Sequence, residues 1–154
     1  MTWTVGMGSD NGDPIIVTIN DDYRDRAKRG GLTTRLSIRF LGNHMLQSIE
    51  NRASFEESLE PLLRTHDGVL VAGVTRTRPA SYTFHAYCAS QRLDPDAVPI
   101  DEKLRPICTV SVYDDPGWAE YEAWLPAESG RIAEFFRMAS LTVRSTFMNI
   151  RKRL

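Results

Sequence analysis

The stretch from Thr33 to Tyr113 constrains the fold most, because strand and helix patterns follow one another there in a recognisable order. The first strand, Thr33–Leu41, alternates polar and apolar residues, which is typical of a half-buried strand. A helical pattern covers residues 44–64 and weakens in its middle, where Ser54 and Glu57 would form a capping box for a second helix. Three more strands follow, with a short helix or irregular crossover before the last: Val69–Thr75, Ser81–Cys88 and Pro106–Tyr113.

This order predicts an α+β fold, and specifically a ferredoxin-like βαββαβ sandwich. In that arrangement the first and third core strands are central, and the fourth is an edge strand beside the first. An N-terminal β-hairpin precedes the core, with positive φ angles expected at Asn11–Gly12, and residues 21–31 form an exposed connection. We therefore expect a single domain of residues 1–154, divided into the hairpin 2–20, the core 33–113 and C-terminal helices 115–153.

Composition narrows the class of protein. The 154 residues are 42% hydrophobic and 25% charged, values that suit a globular domain with its own core. The chain has no apolar run near the ~20 residues that span a bilayer and no signal-peptide pattern. Cys88 and Cys108 lack metal-ligand spacing and are expected on strands roughly 10 Å apart, too far for a disulfide. We expect a soluble cytoplasmic protein without membrane span, metal or cofactor.

The segment after the last core strand is the least generic part of the chain. Asp115 is expected to cap a helix, and Pro116 suits the first helical position. Trp118, Tyr121 and Leu125 recur at helical spacing, so one face of this helix is apolar. That face either packs on the edge of the sheet or exposes Trp118 and Tyr121 as contacts for a protein partner.

A wider pattern accompanies this segment. Residues 115–126 match Asp-Pro-x-Trp-x-x-Tyr-x-x-x-Leu-Pro, and earlier parts fit in order: Trp3, Asn11–Pro14, Leu59–Glu60, Gly68–Thr75 and Tyr82–Tyr87. Over roughly residues 3–126 the chain thereby resembles the bacterial domain-of-unknown-function family 695. The resemblance implies no particular reaction. That family is distantly similar to the ribonuclease E inhibitor RraB, a protein-binding regulator, so the resemblance implies a regulatory role through protein contacts.

The chain departs from that family after Pro126. From Arg131 to Leu154 apolar residues follow a helical stripe, and residues 141–150 also fit a strand; we favour the helix. This end carries an excess of five positive charges, whereas the remainder has a net charge of −6. Arg137 and Arg144 are therefore candidate partner contacts, unless the basic end simply docks on its own domain.

Strand alternation also places polar residues from three strands on the outer face of the predicted sheet. Cationic and aromatic side chains on a sheet suit an anion, a peptide or single-stranded RNA. The glycine-aromatic signature of RNA-recognition strands is absent from the sequence. The alternative is that this face binds no ligand because the hairpin, the last helix or a second copy of the chain covers it. The candidate binding residues are Arg35, Arg39, His85, Tyr87 and Tyr113.

No residue set in the sequence predicts catalysis. The histidines His44, His66 and His85 lie on separate predicted elements without metal-ligand spacing. There is no Gly-x-Ser-x-Gly elbow for a nucleophile. The sequence therefore favours a non-enzymatic regulatory or protein-binding module that acts on a protein partner or as a homodimer. The alternatives are single-stranded RNA or anion binding on the outer sheet face, and an enzyme without a recognisable motif.

Overall fold

A computed structural model of the chain describes residues 2–89 and 92–125. It contains one six-stranded antiparallel sheet with the order β1-β2-β4-β5-β3-β6. The strands are β1 (Trp3–Asp10), β2 (Asp13–Asn20), β3 (Thr34–Leu41), β4 (Val69–Thr77), β5 (Ala80–Cys88) and β6 (Cys108–Asp114).

In the described part of the chain, three α-helices accompany the sheet: α1 (His44–Gln47), α2 (Ile49–Thr65) and α3 (Ala119–Trp124). The connections described there also contain short 3-10 helices at Asp21–Arg24, Arg26–Arg29, Pro95–Ala97 and Arg105–Ile107. Among the residues described, no helix is long and apolar enough to cross a membrane.

The predicted α+β class is confirmed, but a ferredoxin-like arrangement is not. The link between β5 and β6 forms 3-10 turns in its described part, so α2 is the only long helix that residues 2–89 and 92–125 place against the sheet. The N-terminal hairpin does not stand apart as an extension, because β2 pairs with β4 and widens the sheet to six strands. Positive φ angles at Asn11 and Gly12 are confirmed.

The break in the helical segment lies at Ser48, so the predicted restart at Ser54 is wrong. Ser48 adopts an extended backbone, with φ −149° and ψ 125°, which separates α1 from α2. Its Oγ accepts a hydrogen bond from the Asn51 amide at 3.2 Å. A serine that satisfies a free amide in the first turn defines where the helix begins.

The inner face of the sheet, which α2 covers, holds an aromatic and aliphatic core. Phe55 of α2 packs edge-on against Phe40 of β3, with ring centroids 5.0 Å apart. Tyr82 of β5 lies over Gly73 of β4 so closely that a Cβ at residue 73 would be 1.8 Å from the tyrosine oxygen. Gly73 is therefore required by packing. Other buried members are Leu36, Ile38, Leu59, Leu63, Phe84 and Ala86.

The outer face, on the opposite side of the sheet, has a second buried cluster. It includes apolar residues of β2 and β4, together with Tyr87, Trp118 and Tyr121. The aromatic segment, residues 118–125, therefore packs across the outer face of the sheet and not on its edge. Residues 21–31 form the predicted connection, in which residues 24–28, 30 and 31 are exposed. Arg29 departs from this prediction, because it is buried.

Cys88 and Cys108 are both free. They pair with Thr34 and Phe40, near opposite ends of β3. These positions on β3 are six residues apart, or about 20 Å along a strand. The separation is thus larger than expected, and it agrees with the prediction that these cysteines form no disulfide.

Candidate functional site

A polar network occupies the outer face where β3 and β5 pair. Ser37 lies opposite His85, and its Oγ is 2.8 Å from His85 Nδ1. Arg35 Nη1 donates to the same Oγ at 3.1 Å. Because the serine oxygen accepts from Arg35, its hydrogen is available to Nδ1, which favours a neutral imidazole protonated at Nε2. The Trp124 ring covers His85 at a centroid distance of 4.5 Å.

The electrostatics of this network oppose catalysis by His85. Burial, together with the charges of Arg35 and Arg76, lowers the pKa of His85 to about 3. A general base works best when its pKa lies near the operating pH, so this imidazole would be a poor proton acceptor for Ser37. His85 is buried, and its predicted role in ligand binding is therefore corrected to a role inside the fold.

Tyr87 and Asp115 join the outer face to the start of α3. The Tyr87 hydroxyl donates to Asp115 Oδ2 at 2.6 Å, and Arg35 Nε lies 3.7 Å from the same oxygen. Burial raises the pKa of Tyr87, and so does its hydrogen bond to Asp115. Since Tyr87 is fully buried, its predicted ligand-binding role is likewise corrected.

Asp115 caps α3, as the sequence predicted. Its Oδ1 accepts from the Ala119 amide at 2.9 Å. Burial alone would raise the pKa of this carboxyl, but hydrogen bonds from Tyr87 and the α3 amides, together with the Arg35 charge, hold it below its ordinary value. The expectation that Pro116 occupies the first helical position was wrong, since α3 begins at Ala119 after a turn.

Trp118 is the centre of the outer-face cluster. It has a left-handed backbone, with φ 56° and ψ 38°, which is strained for a residue with a Cβ. Its ring stacks on Tyr87 at 3.9 Å with an interplanar angle of 8°, and its Nε1 donates to the Leu32 carbonyl at 2.7 Å. These contacts hold the strained conformation in place.

Trp118 and Tyr121 are therefore not partner contacts in this structure. Their exposed fractions are 1% and 0%, and the Tyr121 hydroxyl donates to the Asn20 carbonyl at 2.7 Å. Of the two alternatives for the aromatic segment, packing against the protein's own sheet is the one observed.

Arg29 completes this cluster and was missed at the sequence level. Its guanidinium lies 5.1 Å from the Trp118 ring centroid and 5.0 Å from that of Tyr121. Its Nη1 donates to Glu122 at 2.6 Å, and its Nε to the Tyr23 carbonyl at 2.6 Å. No local pattern distinguishes Arg29 from the charged residues around it, because its burial depends on α3, more than 90 residues later.

Two of the five predicted binding residues remain accessible. Arg39 is exposed on β3, and Tyr113 is 46% exposed, with the Arg35 guanidinium 4.3 Å from its ring centroid. The structure does bring Arg35, His85 and Tyr87 together, but as one internal network beneath α3. Arg137 and Arg144, as well as residues 141–150, lie outside the described residues.

A different surface is open on the inner face of the hairpin. Met7 of β1 lies directly opposite Ile16 of β2, and their exposed fractions are 47% and 39%. Val5 points to the same side and is half-buried. We call Val5, Met7 and Ile16 the hairpin strip. Val5 and Met7 are two residues apart, so strand alternation alone puts them on one face of β1. The sequence could not reveal that this face lies outside the helix-covered core.

Comparisons with known proteins identified no relative of this chain. No family model matches the chain. A search of curated proteins and a search of solved structures each found no match. The resemblance to family 695 therefore stays a prediction. In residues 2–89 and 92–125, no group of three His, Cys, Asp or Glu side chains could hold a metal ion.

Proposed function

We propose that this protein is a non-enzymatic regulatory or protein-binding module that contacts its partner through the hairpin strip. The observation that carries the proposal is the exposure of Met7 and Ile16, which lie side by side on paired strands of the hairpin. Adjacent exposed apolar side chains on a folded protein mark interaction surfaces more often than isolated ones do.

The chemistry of the polar side chains supports a binding role over a catalytic one. His85 has a pKa of about 3 because of burial and two neighbouring arginines. Burial raises the pKa of Cys88 and of Cys108 to about 11, whereas reactive thiols have lowered pKa values. None of these groups is suited to act as a base or nucleophile near neutral pH.

The test measures which proteins bind to three immobilised full-length chains: the wild type, the double variant Met7→Glu/Ile16→Glu, and the control Leu41→Glu. Leu41 is 41% exposed on β3, which β4 and β5 separate from the hairpin. The proposal expects a specific protein that binds to the wild type and the control but not to the double variant. Equal binding to all three chains would contradict it, as would the absence of any specific partner, a second copy of this chain included.

A second candidate function, anion or single-stranded RNA binding, is supported by Arg39. This exposed residue stands between Thr83 and Thr109 on neighbouring strands, so a cation and two hydroxyl groups share one surface. Arg35 is less suited to this role, since it already contacts Ser37, Asp115 and Tyr113.

Salt-dependent binding of single-stranded RNA tests this candidate. Arg39→Ala is expected to lower the affinity and the salt dependence, whereas Arg78→Ala, in the exposed turn between β4 and β5, should change neither. Binding that is unaltered by Arg39→Ala would exclude the site.

We also propose that the chain is a distant relative of family 695, with β3 to β6 and α2 as a variant of a ferredoxin-like core. The side chains of the shared motif that support this idea are structural: Asp115 caps α3, Trp118 fills the outer cluster and Tyr121 bonds to Asn20. An experimental structure of a family member would test the idea, because it should contain the same buried tryptophan with a left-handed backbone.

A further inference from the structure

Strand β1 combines two properties that favour pairing with another strand. In the described sheet it lies at an edge, bonded to β2 on one side only. Its residues 3–9 include no charge and no proline, although natural edge strands usually carry lysine, proline or a bulge that discourages pairing. The opposite edge differs, because β6 ends at Asp114 and has the Arg35 guanidinium over Tyr113.

The side chains of β1 are arranged in a self-complementary way. On one face it carries Thr4, Gly6 and Gly8, and on the other Val5 and Met7. In an antiparallel pair of two β1 strands centred on Gly6, Val5 of each copy lies opposite Met7 of the other. The Asp10 positions face Thr2 and not each other, so no like charges are opposed.

We propose that a second copy of this chain pairs with β1 across a two-fold axis and extends the sheet from one protomer into the other. The inference rests on the proposed function, since it names the partner of the hairpin strip. Both strips would then lie on the same side of the joined sheet and form one apolar surface across the axis. Such an isologous contact closes on itself as a dimer, and the small size of the strip favours a concentration-dependent one.

Sedimentation equilibrium of the full-length chain tests the inference over protein concentrations from about 1 µM to about 300 µM, because a small interface is expected to dimerise weakly. The wild type should shift from monomer to dimer over this range. Met7→Lys places a charge on the edge strand at a position that is 47% exposed, and we expect it to raise the dissociation constant at least tenfold. The control Leu41→Lys should dimerise like the wild type.

Hydrogen exchange at the lowest and at the highest of these concentrations adds a readout that is specific to the edge strand β1. In a β1-paired dimer, the β1 amides that point away from β2 become protected at high concentration, while the amides of β3 do not change. A wild type that stays monomeric overturns the inference, and so does a dimer that Met7→Lys leaves intact. Protection of these amides that does not depend on concentration would likewise overturn it. A monomer whose strip still binds another protein would refute the dimer but leave the proposed function standing.

Discussion

Acidification from pH 7 to pH 5 is expected to destabilise this fold through His85. In the folded state burial and the charges of Arg35 and Arg76 lower the pKa of His85 to about 3, whereas an unfolded histidine has a pKa near 6.5. Between these values the unfolded chain binds a proton that the folded chain does not. The free energy of unfolding therefore rises with pH in this window and falls as pH drops through 6.5.

The magnitude follows from the two pKa values. At pH 5 the protonated form of the unfolded histidine outnumbers the neutral form about thirtyfold. This lowers the free energy of unfolding by about 2 kcal/mol, whereas at pH 7 the same effect lowers it by only about 0.2 kcal/mol. The result changes little for any folded pKa below about 4. Asp115 adds little here, because its lowered pKa places its loss of stability at more acidic pH.

Urea unfolding at constant ionic strength, followed by tryptophan fluorescence, measures this effect at pH 7 and pH 5. The wild type should lose about 2 kcal/mol more between the two pH values than His85→Gln does. Thr83→Val, a neutral change on the same strand and face, should keep the wild-type pH dependence. Equal pH dependence in the wild type and His85→Gln would refute the reasoning. If the variant does not fold, the His85 ring signals in the wild type should show no titration down to pH 5.

Three further predictions address packing. Gly73→Ala should lower the free energy of unfolding by about 1–3 kcal/mol or more, because the new methyl group would overlap the Tyr82 ring; urea titration measures this. Trp118→Ala should cost about 3–5 kcal/mol, since it empties the centre of the outer cluster, and a loss below 1 kcal/mol would contradict the assigned stacking. Cys88 should react with a thiol reagent only after unfolding, because it is fully buried, while half-buried Cys108 should react earlier; simultaneous reaction in the native protein would refute this order.

The strands were predictable because their signal is local. The alternation in Thr33–Leu41 depends only on which side chains face water, and β3 begins one residue later than predicted. The turn at Asn11–Gly12 was predictable for a similar reason, since these residue types tolerate positive φ. The position of the helix break was less predictable than the turn. Ser48 and Ser54 both suit a helix cap, and the choice between them depends on how α1 meets the core.

The candidate site was less predictable, since burial of its members depends on distant parts of the chain. Alternation grouped Arg35, His85 and Tyr87 on one face correctly, and the structure confirms their proximity. The exposure of His85 and Tyr87 was decided by Trp124 of α3 and by Trp118 in the turn before it, which cover them. Trp118, Tyr121 and Glu122 of the same segment contact buried Arg29, which no sequence pattern indicated.

The sequence by itself thus determined the strand patterns, the cap at Asp115 and the apolar face of the aromatic segment, because each depends on the identity and spacing of neighbouring residues. Only the tertiary structure decided which sheet face α3 covers, that β2 joins the sheet beside β4, and that Met7 and Ile16 stay exposed. Period-two alternation assigns residues to two faces, but whether a face meets protein or water depends on contacts between residues far apart in the chain.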